Sequence, residues 1–252
     1  MRLRMAFGKK DDAKYIAHLD LTRVFERALR RAGIPMAYSE GFNPHPKISF
    51  GSALAVGVEG EREYVDLELK KEDDEDAAAV MSALQGQFPP GITLLEGRVM
   101  RPEVKPLMAV LNLAVYQVRL PLAAPLPEES LREAILSWLS RTQVNYLCFS
   151  KKGRQEKDIR PWVEKMTGSV QDGWVALDLE ITIGNQGSVR PEEVAASLGA
   201  MENLPLTLGE MRIRRTGLYI CHNGRRRTPL ENSDGAQAGG SAAVEEGKER
   251  EA

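Results

Sequence analysis

The sequence predicts an α+β protein of two tandem ferredoxin-like domains, residues 1–105 and 106–227, followed by a disordered C-terminal tail over 228–252. Three observations predict it. Residues 1–105 carry the order strand, helix, paired strands, helix, strand, which is the split βαβ pattern. Residues 106–227 repeat that order of elements without repeating the residues. From Thr228 the composition turns to Gly, Ala, Ser and Glu, with no aromatic residue and no apolar period. Such a segment buries too little surface to offset its ordering entropy.

Each element follows from a local pattern. Leu3, Met5 and Phe7 alternate with polar or small neighbours, the period of a half-buried strand. Leu21, Val24, Phe25, Ala28, Leu29 and Ala32 recur at helical spacing, Asp20 is placed to cap the start, and Gly33 with Pro35 ends the run. Strands over Lys47–Val56 and Glu63–Leu69 are expected to pair as a hairpin through Gly57-Val58-Glu59-Gly60. A helix over Asp73–Gln85, a turn at Pro89-Pro90-Gly91 and a strand over Ile92–Val99 complete the first set. The second set is a strand over Leu111–Leu120, a helix over Glu128–Leu139 and a strand over Val144–Phe149. A strand over Trp174–Ile183, a helix over Pro191–Leu198 and a closing strand over Leu208–Arg215 follow.

Composition bounds the function classes. The chain has 252 residues, 42% apolar and 28% charged, which suits a globular protein. Apolar runs such as Met108–Val115 fall far short of the roughly 18–20 residues that span a bilayer. Residues 1–7 lack the apolar core of a signal peptide, so the expected location is the cytoplasm. Two cysteines, Cys148 and Cys221, provide neither a disulfide framework nor a four-cysteine zinc site, and cannot hold a conventional iron–sulfur cluster. The net charge of −2 conceals basic stretches over 2–47, 151–165 and 212–227, with acids gathered over 59–76 and 231–251.

The residues most suited to chemistry lie between Tyr15 and Leu69. Arg23, Arg27, Arg30 and Arg31 share the helix face opposite the apolar stripe. Guanidiniums that close repel one another unless an anion is near, which Glu26 offsets in part. A phosphate-tracking surface for RNA accounts for them, as does an acidic groove on a partner protein, or a solvated face with Glu26–Arg30 pairing. In Gly41-Phe42-Asn43-Pro44-His45-Pro46-Lys47 two prolines stiffen the chain around an imidazole, so ring, amide and cation stand in a row. That suits recognition or catalysis; a structural turn is the plainer alternative. His18 pairs on paper with His45 as general acid and base, or joins Asp20 in a metal site of no diagnostic spacing. The plainer reading makes Asp20 a helix cap and packs His18 on the sheet, and no metal is expected. The run Gly51–Gly60 lacks the spacing of phosphate-binding and dinucleotide loops.

Two further basic patches extend the pattern. Lys151, Lys152, Arg154, Lys157 and Arg160 stand near Tyr146, Phe149 and Trp162, mixing cations with rings that stack on bases. Arg212, Arg214, Arg215 and Arg225–Arg227 close the folded part. Either alone reads as ordinary surface; with the first helix they suggest one anion-binding surface across both halves.

From Tyr15 through His18-Leu19-Asp20, Phe25–Gly33 and Tyr38–Phe50 to Gly57-Val58 and Glu63, the chain resembles the radical-SAM-linked protein family, with a weaker likeness, including Asp158-Ile159-Arg160-Pro161, to about Arg215. That family is a domain of unknown function found beside, or fused to, radical SAM proteins with a cobalamin-binding domain. The resemblance implies association with such an enzyme in tRNA or rRNA metabolism. The iron–sulfur cluster, S-adenosylmethionine and cobalamin would then reside on the partner, and this chain would bind none of them. At the level of architecture the chain is also similar to CRISPR repeat-processing endoribonucleases, a likeness that transfers function poorly. The leading expectation is an RNA-binding accessory subunit that engages neither membrane nor specifically DNA. A metal-independent ribonuclease or RNA-modifying enzyme using His18 and His45, and a protein-interaction module without RNA, are the alternatives.

Overall fold

A computed structural model describes residues 1–70, 76–150, 153–184 and 187–231. In the first half β1 (Arg2–Lys9), α1 (His18–Arg31), β2 (Ile48–Phe50), β3 (Glu59–Glu68), α2 (Ala77–Gln85) and β4 (Ile92–Met100) follow in order. A short helix, α3 (Leu107–Val110), leads to β5 (Leu113–Pro121), α4 (Glu128–Ser140), β6 (Asn145–Ser150) and β7 (Gly153–Asp158). Then come β8 (Val163–Gln171), β9 (Trp174–Thr182), α5 (Pro191–Met201), β10 (Arg212–His222) and β11 (Arg225–Arg227).

Two tandem domains would carry a sheet each, and that expectation is corrected: one nine-stranded sheet runs β4-β1-β3-β10-β5-β9-β8, with β2 added to β3 and β11 to β10. The seam is parallel, Arg214 opposite Glu59 and Arg215 opposite Gly60. It forms because β2 pairs with only three residues of β3, Val65 to Leu67, and leaves the start of that edge open. Short edge strands leave donors and acceptors for another strand to take.

Alternation explains which face each helix covers. Leu3, Met5 and Phe7 of β1 and Val65 and Leu67 of β3 pack with Phe25 and Leu29 of α1 and Leu84 of α2. Ala6 and Tyr64, of opposite parity, instead join the core that holds Leu107, Leu111, α4 and α5. Successive strand residues point to opposite faces, so α1–α2 and α4–α5 cover opposite sides of the sheet. The back of the first half also buries the Arg4–Asp66 pair, 2.7 and 2.8 Å, whose guanidinium donates to the carbonyls of Lys105 and Pro229.

Several expected elements move. The run at Val144–Phe149 is not the second strand of the sheet; β6 pairs only with β7 in a separate ribbon, and β8 takes the sheet position. Helix α1 starts at His18, so Asp20 sits inside the first turn and pairs with Arg23 at 2.9 Å rather than capping. The cap belongs to α2, where Asp76 accepts from the Ala78 amide at 2.9 Å. The strand expected over Lys47–Val56 stops at Phe50. The closing strand runs on to His222 and turns at Asn223-Gly224, both at positive φ, into β11. The expected tail start at Thr228 is corrected, because Leu230 is buried in the second core and the Pro229 carbonyl accepts from Arg4; 232–252 lie outside the described residues.

Candidate functional site

The loop after α1 is built by hydrogen bonds at its base. Ala37 donates to Glu68 at 2.8 Å, Lys47 to Ala37 at 2.9 Å and Glu68 to Lys47 at 3.0 Å, so both loop ends lie along the end of β3. Ser39 and His45 close the next rung, through the Ser39 amide to the His45 carbonyl and the His45 amide to the Ser39 hydroxyl, each 2.9 Å. The tip is held open by this ladder. Phe42 is fully exposed, Asn43 and His45 are exposed, and Gly41 sits at φ 117, where a side chain would be strained. Lys47 pairs with Glu68 at 3.0 Å.

Helix α1 brings part of its cationic face to this loop. The Tyr38 hydroxyl, then Glu26, raise the Arg30 pKa, and Tyr38 itself bridges to Pro46 at the loop base. Arg30 also pairs with Glu26. Arg27 is exposed and, among the described residues, its guanidinium has no ion pair or hydrogen bond. Arg31 turns away, to the Gln87 carbonyl. Arg23 pairs with Asp20.

His18 stands apart from the loop. Its ring meets Phe50 edge-on at 5.3 Å, over a small cleft also lined by Phe7, Lys9, Ser52 and Glu63. Among the described residues no hydrogen bond joins it to His45, and none joins either imidazole to a carboxylate. Beneath it lies a charged cluster that sequence reasoning missed. Lys9 is buried and donates to the carbonyls of Lys14 at 3.1 Å and Ile16 at 2.8 Å; burial lowers its pKa, Glu63 raises it and Arg215 lowers it further. Glu63 takes both Nε and Nη2 of Arg215, the first at 2.8 Å. Arg215 also donates to the Ser52 carbonyl at 3.1 Å and the Tyr116 hydroxyl at 3.4 Å. Burial works against its charge, but Glu63 and Tyr116 outweigh it and hold the pKa above the ordinary value. This cluster joins β1, β3, β5 and β10 at the seam.

The second expected patch divides. Lys151 and Lys152 lie outside the described residues. Arg154 is exposed on β7. Arg160 is a structural tie instead of a surface cation. It donates from Nε and Nη2 to the Leu139 carbonyl at 3.1 and 2.9 Å and from Nη1 to Val163 at 2.8 Å, with Trp138 beneath. Among the described residues no group of three His, Cys, Asp or Glu is placed to hold a metal ion, and no helix is long and apolar enough to cross a membrane.

A family model described as an uncharacterized protein conserved in bacteria (DUF2344) matches residues 2–191. No curated protein matches the chain. Among solved structures, a chain of a Cbf5-Nop10-Gar1 complex is similar in fold, with a TM-score of 0.52 at 12% identity. The match covers 86% of this chain and 48% of that one, so this chain spans about half of its relative. An unknown protein from Galdieria sulphuraria aligns at 13% identity over 85% of this chain and 96% of that one, with a TM-score of 0.25.

Proposed function

The chain belongs to the DUF2344 family, and from that premise we propose that it is an RNA-binding accessory subunit of a radical SAM enzyme acting on tRNA or rRNA. The observation that carries the RNA half of this reading is Phe42. A fully exposed ring on a loop held by four backbone bonds and two prolines loses little entropy when a base stacks on it. Arg27 and Arg30, both exposed on α1 with Arg30 near Tyr38, would supply the phosphate contacts. The partner half rests on the resemblance from Tyr15 to Glu63; the cluster, S-adenosylmethionine and cobalamin belong on the partner. We read the fold as two fused ferredoxin-like repeats, on the pairing orders β4-β1-β3-β2 and β10-β5-β9-β8, with the β6–β7 ribbon inserted in the second.

The test is binding of labelled tRNA and rRNA fragments across a salt series. Phe42→Ala is expected to weaken binding by about 1–3 kcal/mol without altering the salt slope. Arg27→Gln with Arg30→Gln is expected to weaken it and flatten the slope by roughly one unit per lost contact. Wild-type protein with no salt-sensitive RNA binding would overturn the RNA half. Failure of a tagged chain to co-purify with a radical SAM protein from its own cells would overturn the partner half. RNA turnover by the isolated chain, abolished by His45→Ala at unchanged affinity, would replace the accessory role by a catalytic one.

A further inference from the structure

The second half leaves one face of its sheet open. Helices α4 and α5 cover the side of Val118, Leu120, Val175 and Leu177, whereas the residues of alternate parity face away from them. On that face Arg119 of β5 stands directly opposite Arg212 of β10. Both guanidiniums lie over the indole of Trp174 on β9, at 5.5 and 4.8 Å from the ring centroid. Both arginines are exposed, and among the described residues neither guanidinium has a carboxylate partner or a hydrogen bond. Of the acids of β9 on the same face, Asp178 is engaged by the Gln117 amide at 3.5 Å and Glu180 by Arg226.

Like charges directly opposite across a ladder oppose folding. Adjacent strands are about 4.8 Å apart, so two guanidiniums in register are placed to grip one phosphate between them. The geometry points to a single-stranded RNA site on this face, with Arg119 and Arg212 clamping a phosphate and the half-buried Trp174 taking a base. An acidic peptide would neutralise the arginines but has no repeating flat group for the indole, whereas an unpaired nucleotide brings both. This site is separate from the Phe42 loop and deepens the RNA-binding reading, on which it rests.

The probe is a fluorescein-labelled oligouridylate of about a dozen nucleotides, within the usual span of such surfaces, followed by anisotropy from low to physiological salt. Arg119→Gln with Arg212→Gln is expected to reduce affinity about tenfold or more and to remove roughly 1.4 units from the salt slope, two contacts at the single-strand value. Trp174→Leu is expected to cost about tenfold with the slope kept, and Trp174→Phe to recover most of that loss. The oligonucleotide should also quench wild-type indole emission, with the quench reduced in Trp174→Phe, a reading that does not depend on the charge variants folding. Platform variants that bind like wild type, while Arg27→Gln with Arg30→Gln weakens binding, overturn this site and leave the accessory-subunit reading intact. Wild-type protein that binds no oligonucleotide or RNA fragment overturns both.

Discussion

Glu63 gives both carboxylate oxygens to one buried guanidinium, and the pair has little water to fall back on. Removing one member of such a pair leaves the other charge uncompensated. Glu63→Gln is therefore expected to destabilise the protein by about 3–5 kcal/mol in urea unfolding, whereas Glu63→Leu combined with Arg215→Met recovers most of that loss. A double-variant loss equal to the sum of the Glu63→Leu and Arg215→Met losses would show that the pair is not coupled. Lys9 adds a pH signature. Its pKa in the fold lies below the ordinary 10.5 because burial disfavours the charge. Between the two values the unfolded chain holds the extra proton, so native stability rises with pH across that window, and Lys9→Met should remove the rise. None of these roles was legible in the sequence, where Arg215 read as part of a basic surface patch and Glu63 as the start of a strand. Their burial comes from a seam between residues 152 apart. The exposed placement of the loop that carries Phe42 and His45, by contrast, was legible because Pro44, Pro46 and Gly41 constrain it locally.

At the scale of elements, what could be read was what local periodicity carries. The stripe Leu21, Phe25, Ala28, Leu29 gave α1, and the alternating Leu113 to Leu120 gave β5. β8 was missed because Val163 and Met166 are its only buried residues, too few to show a strand period in Glu164–Gln171. β6 was misplaced because a short apolar run looks the same in a ribbon as in a sheet. The turn before β4 was legible through Pro89-Pro90-Gly91, and its glycine is required. Gly91 sits at φ 84, and a Cβ there would meet the Lys10 carbonyl at 2.5 Å, the segment whose amide donates to Gly91 at 2.8 Å. Gly91→Ala is expected to destabilise by at least about 1–3 kcal/mol, measured by thermal unfolding. An unchanged melting temperature would mean that this turn adapts freely.

The whole molecule is tied together by a strand that belongs to both halves. β10 pairs with β5 along most of its length and with β3 at Arg214–Arg215, and Ala6 and Tyr64 of the first half complete the second core. A single calorimetric transition with matching van't Hoff enthalpy is the expected result, and two resolved transitions would show that the halves are thermodynamically separate. Residues 1–105 expressed alone would expose Tyr64, leave Glu63 without Arg215 and present a bare β3 edge, so they are expected to be far less stable than the same residues in the full chain. The order in which the ribosome delivers these strands turns the seam into a problem of timing. β3 emerges early, but the arginine that neutralises its Glu63 follows 152 residues later. At about 5–20 residues per second that is on the order of ten seconds or more, during which a nascent chain carries an unpaired strand edge and an unmatched carboxylate where a neighbouring polypeptide can reach them.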